Sequence, residues 1–176
     1  MIHKTGIPTP EDLKKVMPKG DRLDRGPCVI LECFERIPCD PCVDACPKGA
    51  IKIEGNINNI PEVDFEKCTG CGVCISSCPG LAIFVIDKNY SSRKQIRTTN
   101  TNHQHEFGLV MLPYEFLPLP KPGDTVDGLS REGKKVCDAK VTRVLLAKKQ
   151  DRTAIISILV PCNFVMEVRN INIPKH

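Results

Sequence analysis

Of the 11 cysteines in this 176-residue chain, nine fall between residues 28 and 78. The densest run is Cys68-Thr69-Gly70-Cys71-Gly72-Val73-Cys74-Ile75-Ser76-Ser77-Cys78-Pro79, a C-x2-C-x2-C-x3-C-P pattern. Thiolates at such short intervals let one loop wrap three irons of a four-iron, four-sulfur cubane. Gly70 and Gly72 let backbone N–H groups approach the sulfurs, Cys78 begins a short helix, and Pro79 ends it. Zinc sites pair their cysteines across longer spacers and fit this run poorly.

The pattern recurs 32 residues earlier, where Cys39, Cys42, Cys46, Pro47, Ala50 and Ile51 correspond to Cys71, Cys74, Cys78, Pro79, Ala82 and Ile83. An internal repeat with matching Cys-Pro ends implies two clusters related by approximate two-fold symmetry. The correspondence breaks at Arg36, which stands where Cys68 has its partner and cannot bind iron. Three readings of the first motif stay open. Cys33, which follows the short apolar strand Val29-Ile30-Leu31, supplies the ligand across a three-residue insertion; or Cys28, at the far end of that strand, does; or the ligand is missing and the cluster is 3Fe–4S.

Segment 28–87 resembles the bacterial-type two-cluster ferredoxins, in which the fourth cysteine of each run binds the opposite cluster. The resemblance implies Cys33, Cys39, Cys42 and Cys78 on the first 4Fe–4S cluster, and Cys68, Cys71, Cys74 and Cys46 on the second. It also implies paired short helices over a four-stranded antiparallel sheet, with Ile51–Ile53 and Ala82–Ile86 as the strands leaving each motif. A narrower likeness rests on Glu32-Cys33, then Arg36-Ile37-Pro38-Cys39-Asp40-Pro41-Cys42, followed by a β-rich tail. In these the chain is similar to ferredoxin-like subunits that accompany flavin-dependent amino-acid dehydrogenases of the proline, hydroxyproline and sarcosine type. That likeness implies flavin-containing subunits as partners, although no flavin motif stands in this sequence.

The elements that position these cysteines follow from charge and patterning. Residues 1–26 carry +2, 27–87 carry −5, 88–105 carry +4 with no acid, and 106–176 carry +3. The expected organisation is an N-terminal arm (1–26), the two-cluster module (27–87), a polar basic connector (88–105) and a small β-rich, partner-binding module (106–176). In the arm, Thr9 caps and Pro10 opens a short helix bearing Leu13, Val16 and Met17. In the last module, Phe107–Leu112, Val136–Leu146, Thr153–Val160 and Phe164–Ile171 read as strands, with a hairpin loop at 148–152. The fold class is therefore α+β: a ferredoxin-like dicluster module followed by a small all-β, barrel-like module. Cys137 and Cys162 read as buried inert thiols, and His103 and His105 as exposed connector residues.

Composition excludes a disordered chain, since Ile, Leu and Val are abundant and net charge is only +4. The first residues lack the apolar core of a secretory leader and no stretch reads as a membrane helix, so a cytoplasmic protein whose thiols bind metal is expected. The leading function is relay of single electrons through two 4Fe–4S clusters, as a subunit of an oxidoreductase complex that is not catalytic alone. The alternatives are a free-standing ferredoxin, or a protein whose own cluster is catalytic. A basic connector without aromatic residues does not support nucleic-acid binding.

Overall fold

The computed structural model describes residues 2–94, 107–146 and 153–174. Three short helices lead in: α1 (Ile2–Thr5), α2 (Pro10–Val16) and α3 (Arg22–Arg25). The Thr9 hydroxyl accepts from the Asp12 N–H and the Asp12 carboxylate accepts from the Thr9 N–H, so α2 opens with a reciprocal capping box. Next come β1 (Cys28–Leu31), α4 (Pro41–Asp44), β2 (Ile51–Lys52), β3 (Glu62–Val63) and β4 (Ile83–Asp87). The chain continues through α5 (Tyr90–Lys94), β5 (Phe107–Tyr114), β6 (Thr125–Leu129), β7 (Lys135–Leu146), β8 (Ala154–Pro161) and β9 (Asn170–Asn172).

Seven strands form one antiparallel sheet in the order β1-β4-β5-β8-β7-β6-β9, while β2 and β3 pair separately. The implied four-stranded sheet is thus divided. Strands β1 and β4, which flank the cysteine motifs, pair with each other, and β4 also pairs with β5 of the C-terminal segment. Every residue of β1 and β4 is buried, as apolar runs require when both faces are covered; the exception in type is Asp87 at the end of β4, which pairs with Arg93.

The two faces have different neighbours. On one, Cys28, Ile30, Phe84 and Ile86 join Val110, Leu112, Val126, Val141, Ile156, Ile158 and Val168 in the larger core. On the other, Val29, Leu31, Ile83 and Val85 pack with Ile51, Ile75, Cys42 and Cys74. Each fully buried Val or Ile here contributes about 1.5–3 kcal/mol of transfer free energy. The cysteine motifs are therefore mounted on the back of a sheet whose front is the core of the β-rich segment.

The expected barrel is not closed: β1 and β9 end an open strand order. Instead, three charged side chains link the two edges. Glu32, just beyond β1, accepts from Arg131 Nε and Nη2 at 2.8 and 2.5 Å and from Arg169 Nε, just before β9, at 2.7 Å.

Other expectations change in detail. The strand expected over Phe164–Ile171 shrinks to β9, after a 3-10 turn at Cys162–Phe164. The cause is local: Val168 N–H returns to the Phe164 carbonyl, while Arg169 Nη1 takes the carbonyls of Val165 and Val168. Strand β6 was not expected, because Asp127 and Gly128 interrupt its apolar pattern; pairing with β7 and β9 makes it. Part of the expected connector is α5, where Ser91 Oγ donates to the Phe107 carbonyl. The hairpin loop at 148–152 and both connector histidines, His103 and His105, lie outside the described residues.

Candidate metal centre

The first motif takes its shape from Pro41 at the start of α4, which is over within one turn. The second forms successive turns, with Ile75 N–H bonded to the Gly72 carbonyl and Cys78 N–H to the Ile75 carbonyl, so the helix expected at Cys78 is absent. The internal repeat nevertheless holds in backbone detail. Cys46 Sγ accepts from Ala50 N–H at 3.2 Å, and Cys78 Sγ accepts from Ala82 N–H at 3.4 Å. Gly49 and Leu81, each three residues beyond these cysteines, both turn through positive φ, at 56° and 52°.

Two groups of thiols emerge from their mutual electrostatics. Burial pushes the Cys42 thiol up to about 11, with Cys78, Cys39 and Cys33 adding to it. Burial raises Cys33 too, again with Cys78 and Cys39 as contributors, and Cys39 rises under burial and Cys78. In the second group burial pushes Cys74 up to about 12, reinforced by Cys68, Cys71 and Cys46. Cys78 thus sits among the thiols of the first motif and Cys46 among those of the second.

Cys28 is fully buried at the start of β1, its side chain in the larger core. Burial pushes its thiol up to about 11, Arg22 opposes that rise, and the neighbouring thiol that adds to it is Cys68. Arg36, at the break in the repeat, is exposed and donates to Asn59 Oδ1 at 2.9 Å.

Thiols that repel one another as anions keep their protons until a cation lies among them, which inverts the local charge balance. The second group fits such an occupant. It lines a cradle with Val29, Pro47, Ala50, Ile51, Gly70 and Gly72, and Cys68 Sγ accepts from Val29 N–H at 3.4 Å. Among the described residues no three His, Cys, Asp or Glu side chains converge on a single-ion site. Thiols spread around a cradle suit a cluster, in which each thiolate meets its own iron.

Close packing explains both glycines of the second motif. A Cβ on Gly70 would lie 2.5 Å from Pro27 Cβ and 2.7 Å from its backbone carbonyl, and one on Gly72 would lie 2.6 Å from Met111 Cε. The cluster loop is thus pressed onto the residue before β1 and onto β5. Motif spacing carries no sign of Arg22 or Met111, which support the second motif from elsewhere in the chain, or of Arg131 and Arg169, which hold Glu32 beside Cys33. Of the remaining thiols, burial pushes Cys137 up to about 11, and Cys162 Sγ donates to the Lys88 carbonyl at 3.1 Å.

Residues 35–82 match a family described as a 4Fe-4S dicluster domain. Over 56 residues the chain is 41% identical to "Ferredoxin-type protein NapF" of Haemophilus influenzae, covering 31% of this chain and 32% of that one. Over 47 residues it is 43% identical to "Pyruvate synthase subunit PorD" of Methanothermobacter marburgensis, 27% of this chain and 51% of that one. A longer stretch of 119 residues is 30% identical to "ABC transporter E family member 1" of Arabidopsis thaliana, 65% of this chain and 19% of that one. The chain therefore spans at most about half the length of these relatives. No solved structure matches it. No described helix is long and apolar enough to cross a membrane. The cysteine-rich segment carries the pattern of a 4Fe-4S dicluster domain.

Proposed function

We propose that this chain relays single electrons through two 4Fe–4S clusters as a cytoplasmic subunit of an oxidoreductase complex whose other subunits carry flavin. Cys33, Cys39, Cys42 and Cys78 hold one cluster, and Cys68, Cys71, Cys74 and Cys46 hold the other. The observation that carries the ligand sets is the exchange of Cys46 and Cys78 between the two thiol groups. When bound, the clusters supply reversible one-electron chemistry at a potential set by charge, exposure and N–H···S bonds. The protein's own contribution is to hold the thiols, direct the N–H groups of Val29, Ala50 and Ala82 at sulfur, and exclude water behind Ile51, Ile75 and Val85.

The sequence of the β-rich segment 106–176 has no nucleophile–base or phosphate-loop spacing, and we assign that segment to partner binding. Phe116, Leu117 and Leu146 are exposed large apolar side chains, the kind of surface that marks protein contacts. Relatives named as subunits of larger enzymes support the same reading, among them the pyruvate synthase subunit above and "Aliphatic sulfonate oxidoreductase, polyferredoxin-like subunit" of Pyrococcus furiosus.

Anaerobic purification of the full chain tests the relay. The expected result is iron and sulfide for two four-iron clusters, an EPR signal on dithionite reduction, and no turnover of amino acids by the chain alone. Serine substitution should remove clusters crosswise: Cys78→Ser disrupts the one held by Cys39 and Cys42, and Cys46→Ser the one held by Cys71 and Cys74. Loss of the wrong cluster in either variant overturns the ligand sets, and turnover by the single chain overturns the assignment as a relay. Flavin in chains captured with it from native extract tests the partner.

A further inference from the structure

The N-terminal arm brings a buried cation against the second thiol group. Arg22, only 7% exposed, makes its hydrogen bonds to neutral carbonyls. Nε donates to Phe65 at 2.7 Å, Nη1 to Gly26 at 3.0 Å, and Nη2 to both Pro27 at 3.0 Å and Cys68 at 2.7 Å. Glu66, an acid within reach of its charge, is occupied by two hydrogen bonds from Arg25. The guanidinium's positive charge is therefore held in place rather than cancelled by a dedicated buried carboxylate. Its contacts also join three segments remote in sequence: the end of α3, the residue preceding β1, and the loop that begins the Cys68 motif.

We propose that Arg22 is a positioning and charge-tuning residue for the cluster held by Cys68, Cys71, Cys74 and Cys46, fixing the Cys68 carbonyl and raising that cluster's reduction potential. The inference rests on the ligand sets given above. One-electron reduction by an external donor lowers the net charge at this thiolate group by one, and a nearby fixed cation favours the more negative state. A neutral residue at position 22 disfavours it. The arm is thus part of the redox site and not merely a lead-in.

The test is a potentiometric titration of the full, anaerobically purified chain, read by EPR, with iron and sulfide measured on each sample. Arg22→Gln keeps a side-chain donor for the Cys68 carbonyl but removes the charge, and Arg22→Lys keeps the charge. With Gln, one of the two midpoints is expected to fall by at least a tenfold change in the reduced-to-oxidised ratio, about 59 mV for one electron, while the other stays. With Lys the midpoint should remain closer to the unsubstituted chain. In a Cys74→Ser background, which lacks the second cluster, Arg22→Gln should leave the surviving midpoint where it was.

Full cluster content with both midpoints unmoved in the Gln variant overturns the inference, as does an equal fall in both clusters. If the Gln variant fails to load iron, a tenfold fall in a fully loaded Lys variant overturns the charge argument, whereas an unmoved midpoint upholds it. Absence of iron and sulfide from the unsubstituted chain would instead defeat the relay reading itself.

Discussion

Removing the charge of Glu32 is the sharpest perturbation of the fold. Its carboxylate receives two hydrogen bonds from Arg131, at 2.8 and 2.5 Å, and one from Arg169, at 2.7 Å. The three side chains are 8%, 14% and 4% exposed respectively. A charge pair 4 Å apart gains about 4 kcal/mol at an effective dielectric constant of 20, and desolvation offsets much of that. The offset is already incurred once the arginines are buried. Glu32→Gln then leaves two guanidiniums near one another without their shared anion, and Arg169 stays in place through the Val165 and Val168 carbonyls and the Phe84 ring 4.9 Å from its guanidinium carbon. Breaking a buried pair from one side costs about 3–5 kcal/mol. For a chain of this size each kcal/mol shifts Tm by about 2–4 °C. Guanidinium titration followed by circular dichroism, on samples of measured iron content, reads the loss directly. A cost below about 1 kcal/mol in a fully loaded variant would mean that the link between β1 and β9 does not hold the sheet edges together. Arg131→Met should cost less than Arg169→Met, because Arg131 is the more exposed partner.

The same contact makes stability depend on pH. Burial alone would raise the Glu32 carboxyl, but the hydrogen bond from Arg131 and the charge of Arg169 outweigh it and hold the group below its ordinary value of 4.5. Its contribution is thus fully present above that value and is lost as pH falls through the lower folded value. The difference in unfolding midpoint between the unsubstituted chain and Glu32→Gln should shrink in that acid window, and a difference constant with pH would contradict the assignment. Gly70→Ala should disable the second motif more severely than Gly72→Ala. Both residues have positive φ, but a Cβ on Gly70 meets the Pro27 backbone, whereas on Gly72 it meets the flexible end of Met111. Iron retention after gel filtration ranks the two, and equal retention would refute the packing argument. Leu117→Ser, at a site 86% exposed, should leave Tm within about 1 °C yet weaken co-purification of partner chains. Unchanged capture would remove that end of the sheet from the docking surface.

The cysteine chemistry was legible because it is local. Four residues within an eleven-residue run must share one loop, so the spacing of Cys68, Cys71, Cys74 and Cys78 predicts cluster binding with no knowledge of the fold, and the 32-residue offset to Cys39, Cys42 and Cys46 announces a repeat. The capped start of α2 was readable for the same reason, since Thr9, Pro10 and Asp12 act within one turn. The strands over Phe107–Tyr114 and Ala154–Pro161 were readable too, because runs of apolar and β-branched residues report burial wherever the chain goes.

What lay beyond reach depends on where distant segments meet. No periodicity says that β4 will pair with β5 and mount the cysteine motifs on the back of the C-terminal sheet, because pairing is chosen by the faces left open once both segments have formed. The barrel-like expectation failed on that point: short apolar strands specify a curled sheet but not whether its edges meet in a ladder, and here ion pairs take that place. Glu32 and Arg169 are 137 residues apart, and Arg22 reaches the Cys68 carbonyl across 46. In the sequence both Arg22 and Arg169 read as ordinary surface charges. Only tertiary packing removed the water from around them, and with it the screening that makes such charges negligible. The amino-acid sequence by itself marked the cysteines proposed to hold iron, and the fold decided which buried charges surround them.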